Sequence, residues 1–248
     1  CVMPELVFFL MMFAALGFVL LAWRLGREWL MAMLVLFYIM TLIFAAKFFP
    51  FFGLQTSAAN IFYAAIFIGT DILAEHRGVK IARRAVWINF LAILGFLFFS
   101  QIIIYALPDG SSGNIDKAIR EVFAMSPRLA IAGLVAYIIA QNFDVWLYHR
   151  IMRITGRGRH LWLRNCASTL SAQLLDSLIF YPLAFAGTIS TSELGALILT
   201  GYAIKAMIGL FDTPFVYLSY TVRGQKPPGV AQRENNNLNT TSSGDGHA

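Results

Sequence analysis

The sequence predicts an all-α protein, a polytopic integral membrane helical bundle of about seven spans, and three observations carry that prediction. Of its 248 residues, 58% are hydrophobic and 13% charged, whereas a soluble domain holds about 25% charged residues. Apolar runs of near twenty residues, the length that crosses about 30 Å of hydrocarbon, recur along the chain. Lys and Arg fall mainly in alternate connections between those runs. The 22 phenylalanines suit lipid-facing surfaces and helix packing. A typical cytosolic enzyme is excluded on composition alone.

In order, the runs cover about 5–22, 31–52, 58–75, 86–107, 128–148, 165–187 and 195–222. The first has only Glu5 ahead of its apolar stretch, so it lacks the basic start of a cleaved leader and reads as a span. Arg24 and Arg27 separate runs one and two; Arg77, Lys80, Arg83 and Arg84 separate three and four. Arg150, Arg153, Arg157, Arg159 and Arg164 separate five and six, and the tail carries Arg223, Lys226 and Arg233. The opposite side holds Lys47, Lys117, Arg120 and Arg128. Positive charge is retained in the cytoplasm, which places the N-terminus outside and the C-terminus inside. Topology therefore accounts for the net charge of +6 and the basic stretch from His149 to Arg164 without a nucleic-acid partner. Pro108 to Gly113 reads as a flexible turn, Asp116 to Met125 as an amphipathic helix on the outer surface, and the tail from Gly224 as disordered.

Several ionisable residues remain inside spans, where an ionised group costs at least about 2.5–3.5 kcal/mol and so faces a cavity or a partner. They are Asp71 and Glu75 in run three, Asp144 in five, Asp176 in six, and Lys205 and Asp212 in seven. Gln141, Asn165, Ser168, Thr169 and Gln173 accompany them. Spacings of three, four and seven keep each set on one helix face, and four such stripes point to a common polar pocket. Counting helical rise from the basic connections puts Asp71, Asp144 and Thr169 at one depth, Asp176 and Asp212 nearer the midplane, and Lys205 further out. Glu75 could equally be interfacial, Lys205 and Asp212 could neutralise one another, and Pro214 could serve to bend its helix.

Other chemistries find no support. The chain has no zinc-protease, Walker or nucleophile-elbow motif. Cys1 and Cys166 lack metal-ligand or disulfide spacing. His76, His149, His160 and His247 are read as loop or tail residues, so neither cofactor nor metal is expected. Two facing aspartates could serve an intramembrane protease, but the glycine-rich setting for that chemistry is absent.

Four groups of residues resemble the queuosine precursor transporter family, also called the vitamin uptake transporter family. They are Asn60-Ile-Phe-Tyr with Thr70-Asp71-Ile-Leu-Ala-Glu75-His-Arg-Gly78, followed by Ala82-Arg83-Arg84; Ser126-Pro127-Arg128 with Ala136-Tyr137 and Gln141-Asn-Phe-Asp144; Leu161-Trp-Leu-Arg164-Asn165 with Ser168-Thr169 and Gln173-Leu-Leu-Asp176-Ser177; and Lys205 with Asp212-Thr213-Pro214-Phe215 and Tyr217. The resemblance implies a six-helix transporter core at 31–223, an additional N-terminal helix within 1–30, and a cytoplasmic tail at 224–248. It further implies a non-enzymatic carrier in the bacterial inner membrane for 7-deazaguanines such as 7-cyano-7-deazaguanine, with Asn60 joining the polar residues above as substrate-binding candidates. A carboxylate, Asp144 or Asp176, can accept the adjacent ring N–H and amine of such a molecule, with Gln141 or Gln173 beside it. A carrier of the same build for another vitamin-like or nucleobase-like solute is the alternative. The carboxylates permit proton coupling, facilitated diffusion and an external ATPase module fit equally, and the residues assign no oligomeric state.

Overall fold

Hydrocarbon offers a backbone no water to bond with, so each apolar run closes its own hydrogen bonds as a helix. The computed structural model describes residues 4–45, 47–52, 54–106, 113–123, 127–156 and 160–225. In chain order these form α1 (Pro4–Leu25), α2 (Arg27–Ile43), β1 (Phe48–Phe51), β2 (Leu54–Ser57), α3 (Ala59–Arg77), α4 (Val79–Tyr105), α5 (Gly113–Phe123), α6 (Pro127–Thr155), α7 (Leu161–Phe185) and α8 (Thr191–Val222). Each of the seven expected runs contains a helix, and the expected amphipathic segment overlaps α5. Among the described residues, four helices, α1, α4, α6 and α8, are long and apolar enough to cross a membrane. The other three fall short for visible reasons: α2 has 17 residues, and α3 and α7 carry the ionisable and amide groups.

Two boundary expectations are corrected. The second run does not continue to residue 52: α2 stops at Ile43 and residues 48–57 fold back as an antiparallel hairpin, Phe48 opposite Ser57. The run is apolar throughout, but Pro50 cannot donate to a helix and forces its predecessor toward extended backbone. Secondly, α4 begins at Val79, α6 extends to Thr155 and α7 begins at Leu161. Lys80, Arg83, Arg84, Arg150, Arg153 and Arg164 therefore lie on helices, as do His76 and His149. Hydropathy marks only the hydrocarbon-deep part of a helix, and long basic side chains let it run on into the headgroup layer. The turn at 108–112, Met125, Ser126, Arg157, Arg159, the tail from residue 226, Cys1 and His247 lie outside the described residues.

Helix α3 is the axis of the bundle. It packs on α1, α2, α4, α6 and α8, and every residue from Ile61 to Glu75 is buried. It reaches α7 mainly through long side chains, which leaves a polar seam between α3, α6, α7 and α8. On the periphery, α4 turns Trp87, Leu91, Leu94, Phe98 and Ile102 outward at helical spacing, as a lipid-facing surface requires. At one end, Arg128 donates to the carbonyls of Leu183 (2.8 Å) and Ala186 (2.5 Å), fastening α6 to the end of α7. Ser190 and Glu193 form a reciprocal capping box that starts α8. At the other end, the indole N–H of Trp23 donates to the Ser219 carbonyl at 3.1 Å and ties α1 to α8.

Gly69 sets how closely α2 approaches this axis, because a Cβ there would overlap the side chain of Leu34. Gly69→Ala is expected to lower stability by about 1–3 kcal/mol through overpacking, and adding Leu34→Val should recover part of the loss. Thermal unfolding of the purified variants checks this; no recovery would mean that Leu34 is not the obstructing group.

Candidate functional site

A helix rises about 1.5 Å per residue, so α3 sets Glu75 and Asp71 about 6 Å apart along its axis, with Tyr63 about 12 Å beyond Asp71. Around these three levels the buried polar groups of α6, α7 and α8 sort into three tiers.

The first tier, at the basic end, is closed. Glu75 Oε1 accepts from Arg164 Nη2 at 2.5 Å and Oε2 accepts from the Tyr148 hydroxyl at 2.8 Å. The Tyr220 hydroxyl also donates to Oε1. Arg164 is wholly buried, 0% exposed, and its Nε reaches the Tyr148 hydroxyl at 3.4 Å. Four helices thus converge on one carboxylate whose oxygens are both engaged. Next to it, His76 Nε2 meets the Ser219 hydroxyl at 2.8 Å.

The third tier, toward the hairpin, is closed as well. Asp176 accepts from the Tyr63 hydroxyl at 2.6 Å and from Lys205 Nζ at 2.5 Å. The ammonium lies 5.3 Å from the ring centre of Tyr63 and 5.9 Å from that of Tyr181, close enough for both rings to stabilise it. Lys205 therefore pairs with Asp176 and not with Asp212.

The middle tier is different. Asp71 Oδ2 accepts from the Thr169 hydroxyl at 3.1 Å, and Gln141 Oε1 accepts from Thr70 at 3.1 Å. Asn165 donates its amide to Thr213 at 3.1 Å. Asp144 and Asp212 face Asp71, and Asp144 also faces Ser168, yet none of these approaches gives Asp144 or Asp212 hydrogen-bond geometry. Both oxygens of Asp144 and of Asp212, one oxygen of Asp71, the amide oxygen of Asn165, the amide nitrogen of Gln141 and both ends of Gln173 are buried without a partner. Buried polar groups are paired in the great majority of cases, which sets this tier apart from the two closed ones. Acceptors predominate among its unpaired atoms.

The expected residues are accordingly distributed over the tiers. Asp71, Gln141, Asp144, Asn165, Ser168, Thr169 and Asp212 occupy the middle one, with Gln173 between it and the Asp176–Lys205 pair. Glu75 belongs to the first tier. Asn60 stands apart: half-buried at the hairpin end, it donates to Thr56 at 3.2 Å and joins α3 to β2. Asp212 shares the depth of Asp71 and Asp144, and Lys205 that of Asp176, which revises the order counted from the loops. At 32 residues α8 exceeds what a perpendicular span needs, and a long helix accommodates by tilting, so residue counts overstate depth.

Arg164, Tyr63, Tyr148 and Tyr220 escaped the sequence reading. Its charge places Arg164 in a connection, although its position five residues before Thr169 and its apolar neighbours Leu161 and Leu163 are signs of a helix already begun. The tyrosines read as packing aromatics because a buried phenol shows its polar end only when its partner is known. Asn89 and Tyr137, buried with unpaired polar atoms on α4 and α6, were also missed.

Residues 57–219 match the family model described as "Putative vitamin uptake transporter". The chain is 37% identical over 166 residues to the "Probable queuosine precursor transporter" of Bacillus subtilis (strain 168), covering 67% of this chain and 72% of that protein. It is 29% identical to the "Queuosine precursor transporter" of Escherichia coli (strain K12), covering 54% of this chain and 57% of that protein. No solved structure shows a significant match.

A desolvated ion pair is costly to leave half-made, at about 3–5 kcal/mol when one partner is removed. Arg164→Met should therefore destabilise the bundle by that order, and Glu75→Gln added to it should restore much of the loss. A double-mutant cycle on unfolding temperature reads the coupling; additive losses would show that the two side chains act independently.

Proposed function

Because the chain belongs to the vitamin uptake transporter family, whose members are membrane transport proteins, we propose that it imports queuosine precursors of the 7-deazaguanine class, such as 7-cyano-7-deazaguanine. In this reading it lies in the bacterial inner membrane with its basic end in the cytoplasm; α2 to α4 and α6 to α8 form the carrier, and α1 is a seventh helix packed against it.

The observation that carries the substrate class is the excess of unpaired acceptors in the middle tier. A 7-deazaguanine ring presents an adjacent N–H and amine on one edge and a further ring N–H on another. Asp144 has both oxygens unengaged and can accept the N–H and amine together, while the amide of Gln141 can donate to the ring carbonyl. Asp176 is the weaker candidate for this role, since Tyr63 and Lys205 already occupy its oxygens. The names of the Bacillus subtilis and Escherichia coli relatives support the same substrate class.

Three facing carboxyl groups, with Lys205 and Arg164 engaged in the adjoining tiers, can also bind and release a proton. Proton-linked import is the coupling favoured by that grouping. A same-build carrier for another vitamin-like solute would differ in which compounds compete for uptake.

Expression in a strain that can neither make nor import the precursor, supplied with one deazaguanine at a time, should restore queuosine in tRNA. Absence of rescue by every deazaguanine, with the protein present in the membrane, overturns the substrate assignment. Asp144→Asn should lower uptake roughly 5- to 150-fold, the worth of a two-pronged hydrogen bond to a base, without lowering the amount of protein in the membrane. Collapsing the proton gradient in vesicles should abolish accumulation above the external level, and undiminished accumulation would rule out proton coupling.

A further inference from the structure

A second polar feature lies at the basic end, outside the three tiers and separated from the Glu75 tier by the Trp23 indole. A pocket of about 670 Å³ opens between the last turns of α1, α3 and α8 and the first turn of α2. Four of its lining residues are arginines, Arg24, Arg27, Arg77 and Arg223, and one is a carboxylate, Glu28. Arg27 Nε holds Glu28 Oε1 at 2.5 Å, and the same carboxylate lies within electrostatic reach of Arg77 and Arg223, so four guanidinium groups share one lining anion.

These arginines are held by the fold. Arg223 lies over the indole of Trp23, 3.6 Å from the ring centre, and donates to the Trp23 carbonyl from Nε at 3.0 Å and Nη2 at 2.6 Å. Arg77 approaches the same ring at 5.8 Å. Trp23 is itself anchored to α8 through Ser219. Gly26 is the single residue between α1 and α2, with a φ of 152° that favours glycine, and that corner brings Arg24 and Arg27 to one rim. Three of these cations, Arg27, Arg77 and Arg223, are held in place, and with Arg24 they repel one another across a pocket lined by one carboxylate unless a further anion joins them.

The geometry points to a phosphate-binding site, one that takes the headgroup phosphate of an anionic phospholipid or a free phosphate and so joins α1 and α2 to α3 and α8. The guanidinium fork matches phosphate oxygens in pairs, and basic pockets among helix ends at the cytoplasmic surface are suited to anionic headgroups. The volume is ample for one headgroup. Nothing in this site depends on the transported substrate.

Native mass spectrometry of the purified full chain, titrated with phosphatidylglycerol, phosphatidylcholine or inorganic phosphate, tests it. Phosphatidylglycerol, inorganic phosphate or both should bind with a preference of about tenfold or more over phosphatidylcholine. Binding of phosphatidylglycerol alone identifies a lipid site, and binding of both identifies a site open to the free anion. Arg24→Gln with Arg77→Gln should lower that binding about tenfold. Lys80→Gln with Arg84→Gln, at the same end but outside the pocket, should leave it unchanged. Equal binding of the two lipids with no effect of phosphate, or equal losses in both variant pairs, overturns the site. Should the first pair fail to fold, Glu28→Gln decides: removing the competing carboxylate should strengthen phosphate binding, and no change or a decrease overturns the proposal.

Discussion

A carboxylate buried among hydrocarbon must meet a donor or a countercharge, and α3 carries two of them one turn apart. How each is answered organises the bundle. Glu75 is met by Arg164, Tyr148 and Tyr220, from α7, α6 and α8, so one acidic side chain fixes the relative positions of four helices. Asp71 is met only in part, by a threonine hydroxyl. Glu75 is thereby a structural joint, whereas Asp71 keeps one buried oxygen without a partner.

The Asp176–Lys205–Tyr63 cluster completes the arrangement at the opposite end. Two satisfied clusters bracket a tier that is not satisfied, and the backbones of α3 and α7 stay apart where the long polar side chains bridge them. Under the proposed function, joints above and below would hold the unpaired groups of the middle tier in place and limit the reorganisation that a guest requires. A bundle of this kind does not dictate its cargo; under the proposed function, the acceptor-rich character of that tier favours a donor-rich guest.

Helices α1 and α2 precede the residues that match the family, 57–219, yet α1 is integrated through Trp23. That side chain bonds Ser219, stacks near His76 and supports Arg223. It stands between the closed Glu75 tier and the arginine pocket, so the two polar features are near one another but separated by an indole.

Composition, run length and the alternation of basic residues determined that this is a helical membrane protein, because hydrocarbon imposes those requirements residue by residue and locally. They also identified α5 and most of the polar residues of the middle tier, since an aspartate in an apolar run is conspicuous whatever surrounds it. The hairpin at 48–57 was misread because five consecutive apolar residues look alike as helix or strand, although Pro50 carried the contrary signal. Only the tertiary structure decided which polar residues neutralise each other and which do not. Arg164 with Glu75, and Lys205 with Asp176 in place of Asp212, are pairings between different helices, set by packing that no spacing along one helix encodes. The division into closed and open tiers follows from those pairings, and it exists only once the helices stand side by side.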